Sequence, residues 1–112
     1  MSSQDRPING WLGVGAHYKG ALDFEGRVRI DGWFEGDIRS PDLVEIGAAG
    51  RVVGTVRVAQ ALVGGRLEGE LVATERVTLL DSAVVIGTIC SPWLDVRPGA
   101  QWTGRVEVHR DG

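Results

Sequence analysis

The chain has 112 residues, a net charge of −3 and 43 % hydrophobic residues, a composition typical of one globular domain rather than of a disordered segment. Acidic and basic residues alternate along it, so no dense positive face and no nucleic-acid binding are expected. It has neither an apolar run of about 18 residues nor the pattern of a signal peptide. Its single cysteine, Cys90, suits a reducing compartment. These features predict a cytoplasmic protein.

The first nine residues are polar and show no periodicity, so residues 1–9 are predicted to form a flexible tail. They contain neither an apolar nor a basic cluster for binding a membrane. The predicted domain spans residues 10–108. At its start Trp11, Leu12 and Val14 stand among glycines, and we expect them to form an incomplete first coil or a cap at one end of the core.

Residues 20–38 contain the longest alternation of apolar and polar side chains in the chain, which is the pattern of β-strands. A single strand of this length would be abnormal in a small domain. The glycines at 26, 32 and 36 are therefore predicted to mark bends at which the chain turns corners. The residues expected to point inward are Leu22, Phe24, Val28, Ile30, Phe34 and Ile38.

From Phe34 onward one short phrase recurs five times: apolar, any residue, glycine, any residue, aliphatic. The glycines of these copies follow one another at steps of 18, 15, 18 and 17 residues; they are Gly36, Gly54, Gly69, Gly87 and Gly104. A repeat of this length indicates a solenoid with one copy per turn. Glycine at a corner supplies a positive φ or a close approach of the backbone to the neighbouring coil.

A second phrase, with two apolar residues two positions apart, runs in phase with the first, as in Val44 to Ile46 and Val77 to Leu79. Two strand phrases in every 15–18 residues leave no room for a helix. The sequence therefore predicts an all-β, single-domain parallel β-helix of about six coils.

The end of the chain keeps its alternation through residue 108, and only residues 109–112, a short C-terminal tail, follow it. Soluble solenoids normally cover their ends with a cap, and no cap is visible in this sequence. We therefore predict a self-association surface at each end of the solenoid. Its residues are Trp11, Leu12 and Val14 at one end and Trp102, Val106 and Val108 at the other.

Two other tryptophans, Trp33 and Trp93, are predicted to point outward, where a large aromatic side chain needs a partner. A terminal tail folded back over them is one explanation, and a lateral or partner contact is the other.

Enzymatic alternatives have little support in the sequence. The left-handed β-helix of hexapeptide acyltransferases and related carbonic anhydrases needs an aliphatic residue at every sixth position and catalytic or zinc-binding histidines. Here such runs break within three steps, and the two histidines, His17 and His109, lie in the terminal regions. An ice-binding threonine column and a phosphate-binding glycine loop are likewise absent. No catalytic, metal-binding or cofactor-binding residues are predicted.

The order and spacing of these segments resemble the bactofilins, a family of bacterial cytoskeletal proteins. The resemblance covers about residues 13–108 and rests on residues 26–38, 44–47, 65–69, 75–80 and 98–106. It implies a right-handed β-helix and nucleotide-independent polymerisation through the ends into non-polar filaments. Such filaments scaffold cell-wall enzymes or polarity proteins, often at the membrane. Trp102 stands where the family carries an aromatic residue in the contact region.

Residues 1–9 do not resemble the membrane-binding segment of many members, so any attachment to the membrane is expected to be indirect, through a partner. The resulting hypothesis is a structural protein that forms homopolymers without a cofactor. The alternative is a β-helical adaptor that does not polymerise and holds a partner on one face.

Overall fold

The computed structural model describes residues 8–107, with side chains from Gly10 onward, and contains ten β-strands and no helix in that range. The strands are β1 (Ile8–Leu12), β2 (His17–Asp23), β3 (Arg27–Ile30), β4 (Trp33–Arg39), β5 (Leu43–Ile46), β6 (Arg51–Val63), β7 (Arg66–Leu79), β8 (Val84–Cys90), β9 (Leu94–Val96) and β10 (Gln101–Glu107). All pairings between them are parallel.

The strands form two stacks, and each coil gives one strand to each stack. One stack runs β2, β4, β6, β7, β8, β10, and the other runs β1, β3, β5, β6, β7, β9. The long strands β6 and β7 serve both stacks because each bends after its eighth residue, at Val58 and Ala73, where their pairing register shifts. The result is a parallel β-solenoid of six coils, which confirms the predicted fold class.

A column of six glycines runs through the first stack: Gly20, Gly36, Gly54, Gly69, Gly87 and Gly104 lie in register, each with φ between 131° and 143°. From Gly36 onward, a Cβ atom at each position would press onto the carbonyl oxygen of the glycine one coil earlier. Both functions expected of a corner glycine therefore apply here. The repeated phrase occurs six times, not five, because residues 18–22 are its first copy.

Four columns of inward side chains fill the interior. Two columns flank the glycines. The column before them is Tyr18, Phe34, Val52, Leu67, Val85 and Trp102, and the column after them is Leu22, Ile38, Val56, Leu71, Ile89 and Val106. The second stack supplies the other two columns. One is Gly10, Val28, Val44, Ala61, Val77 and Leu94, and the other is Leu12, Ile30, Ile46, Val63, Leu79 and Val96. Members from the four middle coils are buried, whereas members from the first and last coils are partly or largely exposed. The core is thus continuous along the solenoid, and within residues 8–107 no further coil covers either end.

Candidate assembly surfaces at the two ends of the solenoid

The C-terminal end surface consists of the inward side chains of the last coil. Trp102 stacks on the column above buried Val85, and Val106 lies above buried Ile89. Because no seventh coil follows in the described residues, Trp102 remains 42 % exposed and Val96 37 % exposed. Leu94, Ala100 and Val106 are partly buried against the core. The sequence placed Trp102 and Val106 inward, and the structure agrees; Val108 lies outside the described residues.

The N-terminal end surface is formed by the inward side chains of the first coil. Tyr18 is 38 % exposed and stacks on the ring of Phe34, with 5.4 Å between ring centroids and 7° between ring planes. An apolar cavity of about 190 Å³ opens beside it, lined by Gly10, Trp11, Leu12, Tyr18, Leu22, Phe24, Val28 and Ile30. The column that ends in Trp102 at one end therefore ends in another aromatic residue at the other.

Phe24 is the reason that this end is shaped differently from the rest of the core. A Cβ atom at Gly10 would overlap the Phe24 ring, so the ring occupies the space that an aliphatic side chain fills in the coils above. Gly10 faces Val28 across the β1–β3 pairing, and that pairing is irregular between Ile8 and Gly10. The first coil is complete in its two strands, but it is less densely filled than the others.

Trp11 is 69 % exposed and points outward, because it shares its register position with Arg29. Its Nε1 donates a hydrogen bond of 2.8 Å to Asp31 Oδ2, which also accepts one of 2.8 Å from Arg29 Nε. Arg29 in turn pairs with Glu45 at 3.0 Å. These bonds connect the first three coils on the outer surface. The indole of Trp11 is thus hydrogen-bonded to Asp31 on the outer side of the solenoid, next to the N-terminal end surface.

The same network shifts the pKa values of Asp31 and Arg29. The hydrogen bond from Arg29, and then that from Trp11, hold the pKa of the Asp31 carboxyl below its ordinary value. The bond to Asp31 likewise raises the pKa of Arg29. Asp31 is therefore charged at neutral pH, and Oδ2 of its buried carboxylate accepts hydrogen bonds from groups in two coils.

The remaining residues of the predicted end surface separate into two groups. Leu12 belongs to an inward column and lies in the cavity wall. Val14 is 78 % exposed and belongs to the turn between β1 and β2. Sequence reasoning missed Tyr18, Leu22 and Phe24 as parts of this end. The overlooked first copy of the glycine phrase would have identified Tyr18 and Leu22.

Trp33 and Trp93 both lie on the outer surface, as predicted, but their surroundings differ. Trp33 is half-buried between two neighbours from adjacent coils, the His17 ring at 5.5 Å and the Arg51 guanidinium at 4.9 Å. Glu35, on the same strand, accepts its indole hydrogen bond at 3.1 Å. Trp93 is 59 % exposed, and within residues 8–107 its ring contacts one charged group, the guanidinium of Arg76, at 5.7 Å. Trp93 is therefore the more available of the two.

Backbone groups at the ends add to these apolar surfaces. In the described range β1 and β2 pair on one side only, as do β9 and β10. Each end therefore presents strand edges with unpaired N–H and C=O groups, which are templates for further pairing. None of residues 8–107 belongs to a helix of the length and hydropathy required to cross a membrane.

A solenoid that leaves apolar side chains and unpaired strand edges at both ends is typical of structural proteins that self-associate. The chain belongs to the bactofilin family, described as polymer-forming cytoskeletal, whose model matches residues 11–107. This is a family of cytoskeletal structural proteins rather than of enzymes.

Individual relatives agree with this assignment. The chain is 27 % identical over 108 residues to the bactofilin BacP of Myxococcus xanthus and spans 45 % of the length of that protein and 96 % of its own. The crystal structure of a bactofilin from Thermus thermophilus, a mutant with arginine in place of a phenylalanine, is 31 % identical. It matches with a TM-score of 0.74 over 79 % of this chain and 98 % of that one. The bactofilin BacA, solved by solid-state NMR, is 29 % identical, with a TM-score of 0.81 over 89 % of this chain and 95 % of that one.

Proposed function

We propose that this chain polymerises end to end into filaments, without a nucleotide or any other cofactor, and that the terminal coils form the joints. The observation that supports this proposal is the exposure of inward side chains at both ends, with Trp102 and Tyr18 closing one column. Water is excluded from every other member of that column, so a second copy would complete the same packing.

Two contributions would stabilise a joint. Burial of apolar surface contributes about 25 cal/mol per Å² removed from water. Pairing or close packing of the open strand edges would satisfy backbone groups that otherwise bond to solvent. Neither contribution involves a bound ligand, which is why assembly is expected in plain buffer.

Electron microscopy and pelleting of the purified chain in nucleotide-free buffer test this proposal. Filaments should appear above a threshold concentration, and the amount of unpolymerised protein should stay constant above it. Discrete particles of constant size at all concentrations would refute end-to-end assembly.

We further propose that the filaments act in the bacterial cytoplasm as a scaffold for cell-wall, cell-shape or polarity proteins, and that attachment to the inner face of the membrane is indirect, through a partner. Trp93 is the outer-surface residue best suited to a partner contact, because a large aromatic side chain with one flanking arginine offers apolar area and a cation together. Trp33 offers a second partner contact, with a smaller exposed area because His17 and Arg51 cover part of its ring.

A non-polymerising adaptor is the second candidate function, favoured by the same exposure of Trp93. An adaptor would bind its partner on one face and remain the same size when concentrated. Light scattering across a concentration series separates the two candidates, since only a polymer shows a threshold.

A further inference from the structure

The corner that leads from the second stack of strands to the first has two different lengths. In the first, third, fifth and sixth coils, four residues separate the paired strand ends, as in residues 13–16. In each of these corners the N–H of the last residue donates a hydrogen bond of 2.8 to 3.1 Å to the carbonyl of the first. The second and fourth coils use two residues, 31–32 and 64–65. Each short corner therefore lies between two longer ones, and a recess results.

The recess at the second coil is open. Its volume is about 340 Å³. The corner of the first coil forms one wall, the corner of the third coil forms the other, and the short corner of the second coil forms the floor. The residues that line it include Val14, Ala16, Asp31, Trp33, Ala49 and Arg51. We call this site the second-coil recess.

Side chains from the fifth coil reach into the equivalent recess at the fourth coil. Ser82 Oγ donates a hydrogen bond of 2.6 Å to the carbonyl of Gly64. A Cβ atom on Gly64 would lie 3.3 Å from Cδ1 of Leu80. In the third coil Ala49 stands at the position of Ser82 and Gly47 at that of Leu80. The second-coil recess therefore lacks both of these filling groups.

The shape of the second-coil recess suits an extended peptide. Its walls belong to coils that are two strand spacings apart, about 9.6 Å. One extended chain lying over the short corner would thus have a wall on either side at about the distance between neighbouring strands. This shape favours a peptide segment over a compact small molecule.

Arg51 gives the recess its charge. Its guanidinium lies 4.9 Å from the centroid of the Trp33 ring, and within residues 8–107 it forms no ion pair or side-chain hydrogen bond. Arg66, its neighbour in register, pairs with Glu68 two positions along the strand, whereas Val53 holds that place after Arg51. A guanidinium held on an aromatic ring with unused donors is suited to bind a carboxylate.

The carboxylates nearest to the recess already have partners. Asp31 on the floor accepts hydrogen bonds from Arg29 and Trp11, and the guanidinium offsets its charge. Glu35 accepts the indole hydrogen bond of Trp33 and is not part of the lining. An anion from outside the described residues is therefore needed to neutralise the guanidinium in the recess.

The recess combines an arginine stacked on a tryptophan with small apolar walls, and these two residue types are enriched among those that dominate binding energy at interfaces. We propose that the second-coil recess binds an extended segment of a partner protein. An acidic side chain of the segment pairs with Arg51, and an adjacent apolar side chain packs against Val14 and Ala16. The inference rests on the proposed scaffolding of partners, for which it names the kind of segment recognised, and it does not depend on polymerisation.

An array of short peptides with blocked termini tests the proposal. The central residue is glutamate, glutamine or lysine, and the flanking residues are varied between apolar and polar. The unaltered chain should bind glutamate peptides with apolar neighbours at least about tenfold more tightly than the matched glutamine peptides, as expected for a charge-assisted hydrogen bond. Lysine peptides should bind most weakly. Equal binding of glutamate and glutamine peptides, or no binding at all, overturns the proposal.

Two substitutions place the binding in the recess. Arg51→Glu should reverse the preference, so that lysine peptides bind more tightly than glutamate peptides. Ala49→Phe introduces a ring at an exposed position on the wall and should weaken binding of every peptide at least about tenfold, because the ring occupies the space of the peptide. A preference for glutamate that survives Arg51→Glu contradicts the proposal.

Matched controls are available beside both positions. Arg57→Glu makes the same charge change at an exposed arginine of the same strand, and Ala48→Phe adds the same ring at an exposed neighbour that does not line the recess. Both variants should bind peptides like the unaltered chain, and equal losses in the controls overturn the proposal. Losses confined to Trp93→Arg also overturn it, and they assign partner binding to Trp93.

Pelleting of the same samples in nucleotide-free buffer separates this proposal from end-to-end assembly. All the recess variants should pellet like the unaltered chain, because the recess is on the side of the solenoid. Pelleting without peptide binding refutes the recess alone. Peptide binding without pelleting supports the recess and refutes end-to-end assembly.

Discussion

Replacing Trp102 is the most direct way to test the C-terminal end surface. The side chain is 42 % exposed in the single chain, and a tryptophan side chain has about 150–250 Å² of surface to bury. A joint that covers the rest would therefore remove about 60–100 Å² from water. At about 25 cal/mol per Å² this corresponds to about 1.5–2.5 kcal/mol for each tryptophan in the joint.

That magnitude predicts the behaviour of two substitutions. Trp102→Ala should raise the threshold concentration for filaments about 10- to 60-fold, because about 1.4 kcal/mol corresponds to a factor of ten. Trp102→Arg should abolish filaments at micromolar concentrations, because a buried, unpaired guanidinium costs several kcal/mol more. Circular dichroism should show an unchanged β-fold for both variants, since Trp102 lies at the end of the core. Pelleting over a concentration series measures the threshold.

Trp93→Arg is the matched control, because it introduces the same charge at another exposed tryptophan that lies on the outer surface. It should pellet like the unaltered chain. The size of the particles that Trp102→Arg forms is informative as well. Dimers would indicate that like ends meet at the joints of the unaltered filament, and monomers would indicate that unlike ends meet. A Trp102→Arg chain that forms filaments at the original threshold would refute the assignment of this surface.

Two further predictions concern the solenoid itself. Gly69→Ala forces a positive φ on alanine and places its Cβ on the carbonyl oxygen of Gly54. Thermal unfolding should therefore show that the free energy of unfolding falls by at least about 3 kcal/mol. Gly13→Ala is the control, because its Cβ would lie 3.7 Å from the nearest atom and stability should change little; equal melting temperatures for the two variants would contradict this prediction. The lowered pKa of Asp31 means that its stabilising effect is complete above the unfolded pKa of about 3.9 and is lost as pH falls through the folded pKa. Melting temperature should therefore decline less between pH 5 and pH 2 in Asp31→Asn than in the unaltered chain, and parallel curves would show that the network with Trp11 contributes nothing.

Much of the fold could be predicted because the repeat determines its own register. The spacing of the glycines fixes which residues of successive coils are neighbours, and alternation then fixes which side chains point inward. Phe34 and Ile38 were assigned to the interior by this alternation, and both are buried. The first coil was harder to recognise, because Gly10 and Phe24 replace the regular aliphatic pattern there.

The surroundings of the tryptophans could not be read from periodicity. Alternation gives the side of the strand, but not the contacts that a long side chain makes with the coils above and below. Trp11 was assigned to the end surface and lines the cavity there, and only the fold shows that its indole also donates a hydrogen bond to Asp31. Trp33 and Trp93 have the same parity, yet one is enclosed by His17 and Arg51 and the other is largely free.

The glycine column also bears on how such a protein changes length. Every coil meets its neighbours through the same backbone geometry, so removing the stretch from Gly54 up to Gly69 would join two equivalent positions and leave the inward columns in register. The first and last coils would not be altered by such a deletion. Subunit length and end chemistry are therefore separate properties of this architecture, and duplication or loss of whole coils can adjust the spacing along a filament while the joints stay as they are.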